Sequence, residues 1–186
     1  PDDTTISYCK DLPYAPKGPL WDEAESFWRT LRSDKDAYFD KELTIDGSAV
    51  IPMVTWGNSP QWALPISGSI PHPSLENDPM LRAEMEASLD YMDLKPGTSL
   101  SAIPIDTVFI GACTNSRIED LREAASILDG RKAAESIKLL VVPGSVAVKL
   151  QAEAEGLDQV FINAGGEWRG AGCSMCLGMN PDQLMP

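Results

Sequence analysis

Histidine, cysteine, basic residues and long apolar runs are all scarce in this 186-residue sequence, and each scarcity excludes something. The single histidine, His72, lies in a proline-rich stretch, so a Ser-His-Asp triad has no suitable base. No apolar segment approaches the about 18 to 20 residues that span a bilayer. No basic stretch followed by an apolar core opens the chain. There is no G-x-x-x-x-G-K-[ST] loop, and the GAGCSM text at 170–175 lacks the third glycine of G-x-G-x-x-G. Four cysteines are too few for the disulfide framework of a small secreted domain, and no permitted Asn-x-Ser/Thr acceptor occurs. The expected setting is therefore a reducing, cytoplasmic one, with no membrane. Lys+Arg number 15 against 28 Asp+Glu, a net charge of −13, of which −9 falls in residues 1–100. Such a surface repels phosphate backbones and excludes nucleic acid as the expected partner. An anionic substrate would have to meet locally placed basic groups or a metal.

What remains is an ordinary globular composition, 43% hydrophobic and 23% charged. A chain of this size buries roughly 70% of its unfolded surface, so its fold requires neither disulfides nor a structural metal. The two ends differ in texture. Residues 1–75 carry most of the prolines and four of the five tryptophans, and read as an acidic, Pro/Trp-rich partial domain. After Pro13, Pro16 and Pro19, the spacing of Trp21, Ala24, Phe27, Trp28 and Leu31 predicts a helix. The LTIDGSAVIPMV run at 43–54 reads as strands broken by a hairpin signal at Asp46-Gly47, and 58–73 as extended loop. Asp78 and Pro79 signal a helix start. Leu81, Met85, Leu89 and Met92 form its face, and Lys95-Pro96-Gly97 its stop.

Residues 76–186 read as a βαβαβ domain with a parallel sheet. Residues 107–110 form a first strand buried on both faces. A Ser116/Glu119 capping box then leads a helix with Ile118, Leu121, Ala125 and Leu128 inward and Gly130 as its stop. Residues 138–142 form a second strand. Pro143-Gly144-Ser145 opens a helix that ends near Gly156, and Val160-Phe161-Ile162 reads as the third strand.

In an open parallel sheet, ligands collect beyond the carboxyl ends of the strands. Cys113 follows the first strand there, and Cys173 and Cys176 follow the third, so one fold rule places three thiols along one edge. Flanking glycines would admit a bulky group and offer amide donors to its sulfurs. A closed zinc site usually takes four ligands. Cys9 has no metal-loop surroundings, and a redox Cys-x-x-Cys leaves Cys113 unexplained. A cubane iron–sulfur cluster on three cysteines leaves one iron open as a Lewis acid. Inert buried thiols are the remaining reading. The residues by themselves point to a metal or redox site.

The stretches 108–122 (VFIGACTNSRIEDLR), 141–145 (VVPGS) and 167–177 (EWRGAGCSMCL) closely resemble the large subunits of the 3-isopropylmalate dehydratases. That family belongs to the aconitase superfamily. PDDTT at 1–5, APKG at 15–18 and MVTWG at 53–57 are similar to the same family, so the resemblance covers essentially the whole chain. The wording of 29–57 is closest to the fungal single-chain form. The resemblance implies an α/β fold, the aconitase-like three-layer α/β/α arrangement, with a partial doubly wound parallel sheet in the C-terminal half. It implies a [4Fe–4S] cluster on Cys113, Cys173 and Cys176, whose open iron meets the hydroxyl and a carboxylate of 2-isopropylmalate. Water is removed and returned at the neighbouring carbon, giving 3-isopropylmalate in leucine biosynthesis.

The family's large subunits are longer, and this text resembles an interior section of one, truncated after Pro186. Their histidine and acidic motifs lie upstream of the matched stretch and their arginine-rich substrate loop downstream. The catalytic serine sits on a small subunit or a C-terminal swivelling domain. Only the three cysteines therefore carry over, no catalytic residue does, and the chain by itself is expected to be inactive. Ala112 stands where many relatives have serine, and Asn58 where threonine is common. Related readings are a superfamily hydro-lyase acting on homoaconitate or citraconate-type acids, and a non-catalytic zinc or scaffold piece.

Overall fold

The computed structural model of the protein describes residues 1–178 and 181–184, in two compact units, Pro1–Val50 and Ile51–Pro186.

In the first unit, α1 (Asp3–Cys9) starts where the Asp2 carboxylate accepts the Thr5 amide at 2.8 Å. In α2 (Pro19–Trp28), Pro19 sets the first helical φ and Trp21 is buried. Trp21 meets Trp28 edge to face at 5.5 Å. Glu25 accepts from Arg29 and from the Trp21 ring N–H, and these bonds, that of Arg29 first, hold its carboxyl below the usual range. The helix stops before Leu31, which is exposed. No hairpin forms at Asp46-Gly47. Asp46 instead accepts from the amide and hydroxyl of Ser48 and closes a 3-10 turn over Gly47–Ala49. Such a local bond competes with a strand ladder, and residues 36–50 are all exposed, so no face is buried to reward pairing.

The second unit begins with β1 (Met53–Thr55) antiparallel to β2 (Ala63–Pro65), Val54 opposite Leu64. The segment read as loop thus holds a short strand, reached through a 3-10 turn at Pro60–Trp62. α3 (Pro79–Tyr91) is capped as expected, the Asp78 carboxylate accepting the Met80 amide at 2.8 Å. It packs Met85 and Leu89 with Trp56, Ile70 and Leu100, whereas Leu81 and Met92 stay exposed. It ends at Tyr91, short of the proline signal. Asp93 takes a left-handed φ of +49°, with its amide on the Asp90 carbonyl and the Leu94 amide on that of Leu89.

The sheet is parallel and ordered β3 (Thr107–Gly111), β4 (Lys138–Val142), β5 (Glu167–Trp168), an α/β arrangement. Burial on both faces belongs to β4, at the centre of this order, and β3 at its edge is half-buried throughout. α4 (Ile118–Leu128), α5 (Val146–Ala154) and α6 (Leu157–Asn163) supply Leu121, Ala125, Ala152 and Phe161 to a core with Leu139 and Val141. α4 starts one residue later than the Ser116 signal: the Arg117 amide donates to Asp120 at 3.0 Å, and Ser116 is buried instead. Ser145 caps α5 by accepting the Val148 amide. Residues 160–162 are helical, in α6, and the third strand is β5.

An open apolar groove of about 300 Å³ runs beside β3 and α4, with Val108, Ile110, Ala124 and Leu139 in its walls. Among the described residues no helix is long and apolar enough to cross a membrane.

Candidate metal centre

β3 delivers the chain to Cys113 through two unusual backbone positions. Gly111 has φ +144°, and a Cβ there would fall 2.3 Å from the Val142 carbonyl oxygen. Ala112 follows with φ +125°, a region that side-chain-bearing residues rarely adopt. The loop after β4 lies backbone to backbone against this turn. The Gly144 amide donates to the Ser116 carbonyl at 2.9 Å. Cys113 is exposed there, its Sγ 3.7 Å from the Thr114 hydroxyl.

The other two cysteines follow β5. The Arg169 amide donates to the Val141 carbonyl at 2.9 Å, which extends the pairing with β4 by one residue. The chain then enters the loop that carries exposed Cys173 and Cys176. Ser174 between them is buried, and its hydroxyl donates to Asp182 at 2.8 Å. Asp182, also buried, accepts from the Arg169 guanidinium at 2.7 Å, and Glu167 accepts from the same nitrogen at 2.8 Å. The Ser174 carbonyl accepts the Leu177 and Gly178 amides, both at 3.1 Å, closing a tight turn. Sequence reasoning missed Arg169, Ser174 and Asp182, because no spacing motif links an arginine to an aspartate 13 residues on.

All three predicted cysteines therefore lie on loops that leave the carboxyl ends of parallel strands. Those strands flank β4, so they stand about 10 Å apart, two strand spacings. Among the described residues no three His, Cys, Asp or Glu side chains sit together closely enough to hold a metal ion. The donor chemistry nonetheless fits a soft metal: all four cysteines are thiols, and three of them are sulfurs on exposed loops. Among the described residues, the buried side-chain atoms Ser116 Oγ and Arg169 Nε lack partners; Ser116 follows Cys113 on its loop, and Arg169 precedes the loop of Cys173 and Cys176. Cys9 belongs to α1 of the first unit. His72 is used locally, its Nδ1 2.8 Å from the Ser74 hydroxyl at the start of a 3-10 turn.

Glu153 and Glu155 brace the scaffold behind these loops. Glu153 accepts from Lys149 and from the Trp168 ring N–H at 3.1 Å, and both bonds, Lys149 first, hold its carboxyl below the usual range. Arg122 of α4 does the same for Glu155 through a two-pronged contact at 2.7 and 2.8 Å.

Compared with known protein families, residues 1–186 match the aconitase family (aconitate hydratase).

Proposed function

Because this chain belongs to the aconitase family over all of its 186 residues, a family of hydro-lyases, we propose that it is the cluster-binding portion of a 3-isopropylmalate dehydratase. In this reading Cys113, Cys173 and Cys176 hold a [4Fe–4S] cluster, and the substrate is 2-isopropylmalate, isomerised to 3-isopropylmalate in leucine biosynthesis in the cytoplasm. The observation that carries it is the placement of the two cysteine-bearing loops after β3 and β5, at the end of the sheet where α/β proteins bind ligands. The family likeness of 108–122 and 167–177 supports the substrate.

When bound, such a cluster supplies a Lewis-acidic iron that stabilises the oxygen leaving a 2-hydroxy acid at neutral pH. The protein's own residues hold and orient the ligands. The Gly144-to-Ser116 hydrogen bond fixes the loop that carries Cys113, and the Thr114 hydroxyl is placed to donate to its thiolate. Three sulfurs, rather than four, favour an open site over a closed structural zinc. The net charge of −13 opposes a dicarboxylate at long range, so attraction has to come from the site itself. The catalytic serine belongs to a small subunit or swivelling domain, and turnover requires that partner.

The test is iron and acid-labile sulfide per chain after anaerobic reconstitution, run beside Cys173→Ser. About four of each in the parent, sharply reduced in the variant, is the expected result. Equal loading of parent and variant, or stoichiometric zinc in a colourless preparation, overturns the ligand assignment. In the full-length protein, with its small subunit or swivelling domain, 2-isopropylmalate should turn over in preference to homoaconitate and citraconate-type acids; the reverse order overturns the substrate.

A further inference from the structure

We propose that Asp182 is a positioning residue for the Cys173-x-x-Cys176 pair, anchored in turn by Arg169; this rests on the cluster reading above. Asp182 is distant in sequence from the strand that precedes the cysteines, yet it is 8% exposed and ties both ends of their loop together. One carboxylate oxygen accepts from Arg169 at 2.7 Å and the other from Ser174 at 2.8 Å. Arg169 is itself fixed to the sheet through its amide on Val141. The chain of contacts therefore runs from β4 through Arg169 and Asp182 to the residue between the two cysteines.

The consequence is directional. Ser174 is drawn inward, 3% exposed, while Cys173 and Cys176 on either side of it are exposed. The Leu177 and Gly178 amides close on the Ser174 carbonyl, so anchoring Ser174 anchors the whole turn. A hydrogen bond from a hydroxyl to a buried carboxylate is of the strong, charge-assisted kind, and so is the guanidinium contact. Losing the carboxylate would strand a buried hydroxyl beside Arg169, whose Nε already lacks a partner. Outer partners of this sort orient metal ligands without touching the metal.

The experiment uses the full chain with Asp182→Ala, Asp182→Asn and Ser174→Ala. Two readouts are taken: hydrogen exchange without metal, and the rate at which a chelator strips iron after reconstitution. Asp182→Ala should speed exchange of the Leu177 and Gly178 amides while leaving Leu140 in β4 unchanged, which controls for global unfolding. It should also speed iron loss by about tenfold or more, the scale on which outer-shell partners of metal ligands act. Asp182→Asn keeps an acceptor oxygen of the same size and should recover most of the parent's retention. Ser174→Ala, a milder change should the aspartate variants fail to fold, should loosen the same two amides. Parent-like exchange in Asp182→Ala overturns the anchor. Faster exchange with parent-like iron retention overturns its role in cluster binding. A parent that takes up no iron overturns the cluster reading and this role with it, and exchange then still reports whether the anchor holds the turn.

Discussion

At Ala112 the backbone is held at φ +125° between a glycine at φ +144° and the ligand candidate Cys113. A side-chain-bearing residue in such a region costs of the order of 1–3 kcal/mol, and persists only where its surroundings impose it. Here they do, since Gly111 is pressed against the Val142 carbonyl on one side and the Ser116 carbonyl receives the Gly144 amide on the other. Ala112→Gly should therefore raise stability by about 1 kcal/mol, the relief of strain outweighing the added freedom of the unfolded chain. A urea midpoint measures this, and a lowered midpoint would mean the turn is not strained. The placement of Cys113 beyond a strand end was legible at this scale, from the apolar run of β3 that precedes it. Asp182 was not, since its meaning lies in two partners that the fold, and not the sequence spacing, brings to it.

Elements were legible where one signal dominated. The apolar run of β4, the stripe of α4 and the opening of α5 after Pro143-Gly144-Ser145 each read directly from the chain. Residues 160–162 misled because three adjacent apolar residues fit a buried strand as well as part of a helix. The deciding pattern extends beyond them: Leu157, Val160, Phe161 and Ala164 recur at helical spacing, and all four turn inward. Gly156, at φ +75°, ends α5 and lets α6 begin. In a strand, Val160 and Ile162 would share the buried face; in the helix Ile162 is 46% exposed and Phe161 is fully buried. Phe161 also stacks on Trp168 of β5, centroids 5.9 Å apart. Phe161→Ala should thus cost about 3–5 kcal/mol, whereas Ile162→Ala should cost less than about 1 kcal/mol. Chemical denaturation of the pair separates the arrangements, and equal costs would argue for the strand.

Over the whole molecule, apolar burial is uneven. In Pro1–Val50 the buried hydrophobic side chains are Ile6 and Trp21, and residues 29–50 are exposed throughout. Ile51–Pro186 contains both packed clusters and the four consecutive buried residues of β4. A unit of about 50 residues is marginal on size alone, and with so small a core it has little to offset its chain entropy. Its helices lean on surface contacts such as Arg29 with Asp3 and Glu25, a class that contributes little in water. Local stability should follow this distribution. Native-state hydrogen exchange should find the amides of α1 and α2 opening well before those of β4, and limited proteolysis should cut first between residues 30 and 50. Protection of α1 and α2 equal to that of β4 would show that the first unit is held by more than its two buried side chains. The uneven distribution also bears on the candidate site, because the cysteine-bearing loops spring from the better-packed unit and are tied to β4 itself. A site that must hold ligands within fractions of an ångström gains from a support of that kind. Loss of structure in residues 1–50 should therefore leave metal uptake by Cys173 and Cys176 largely intact.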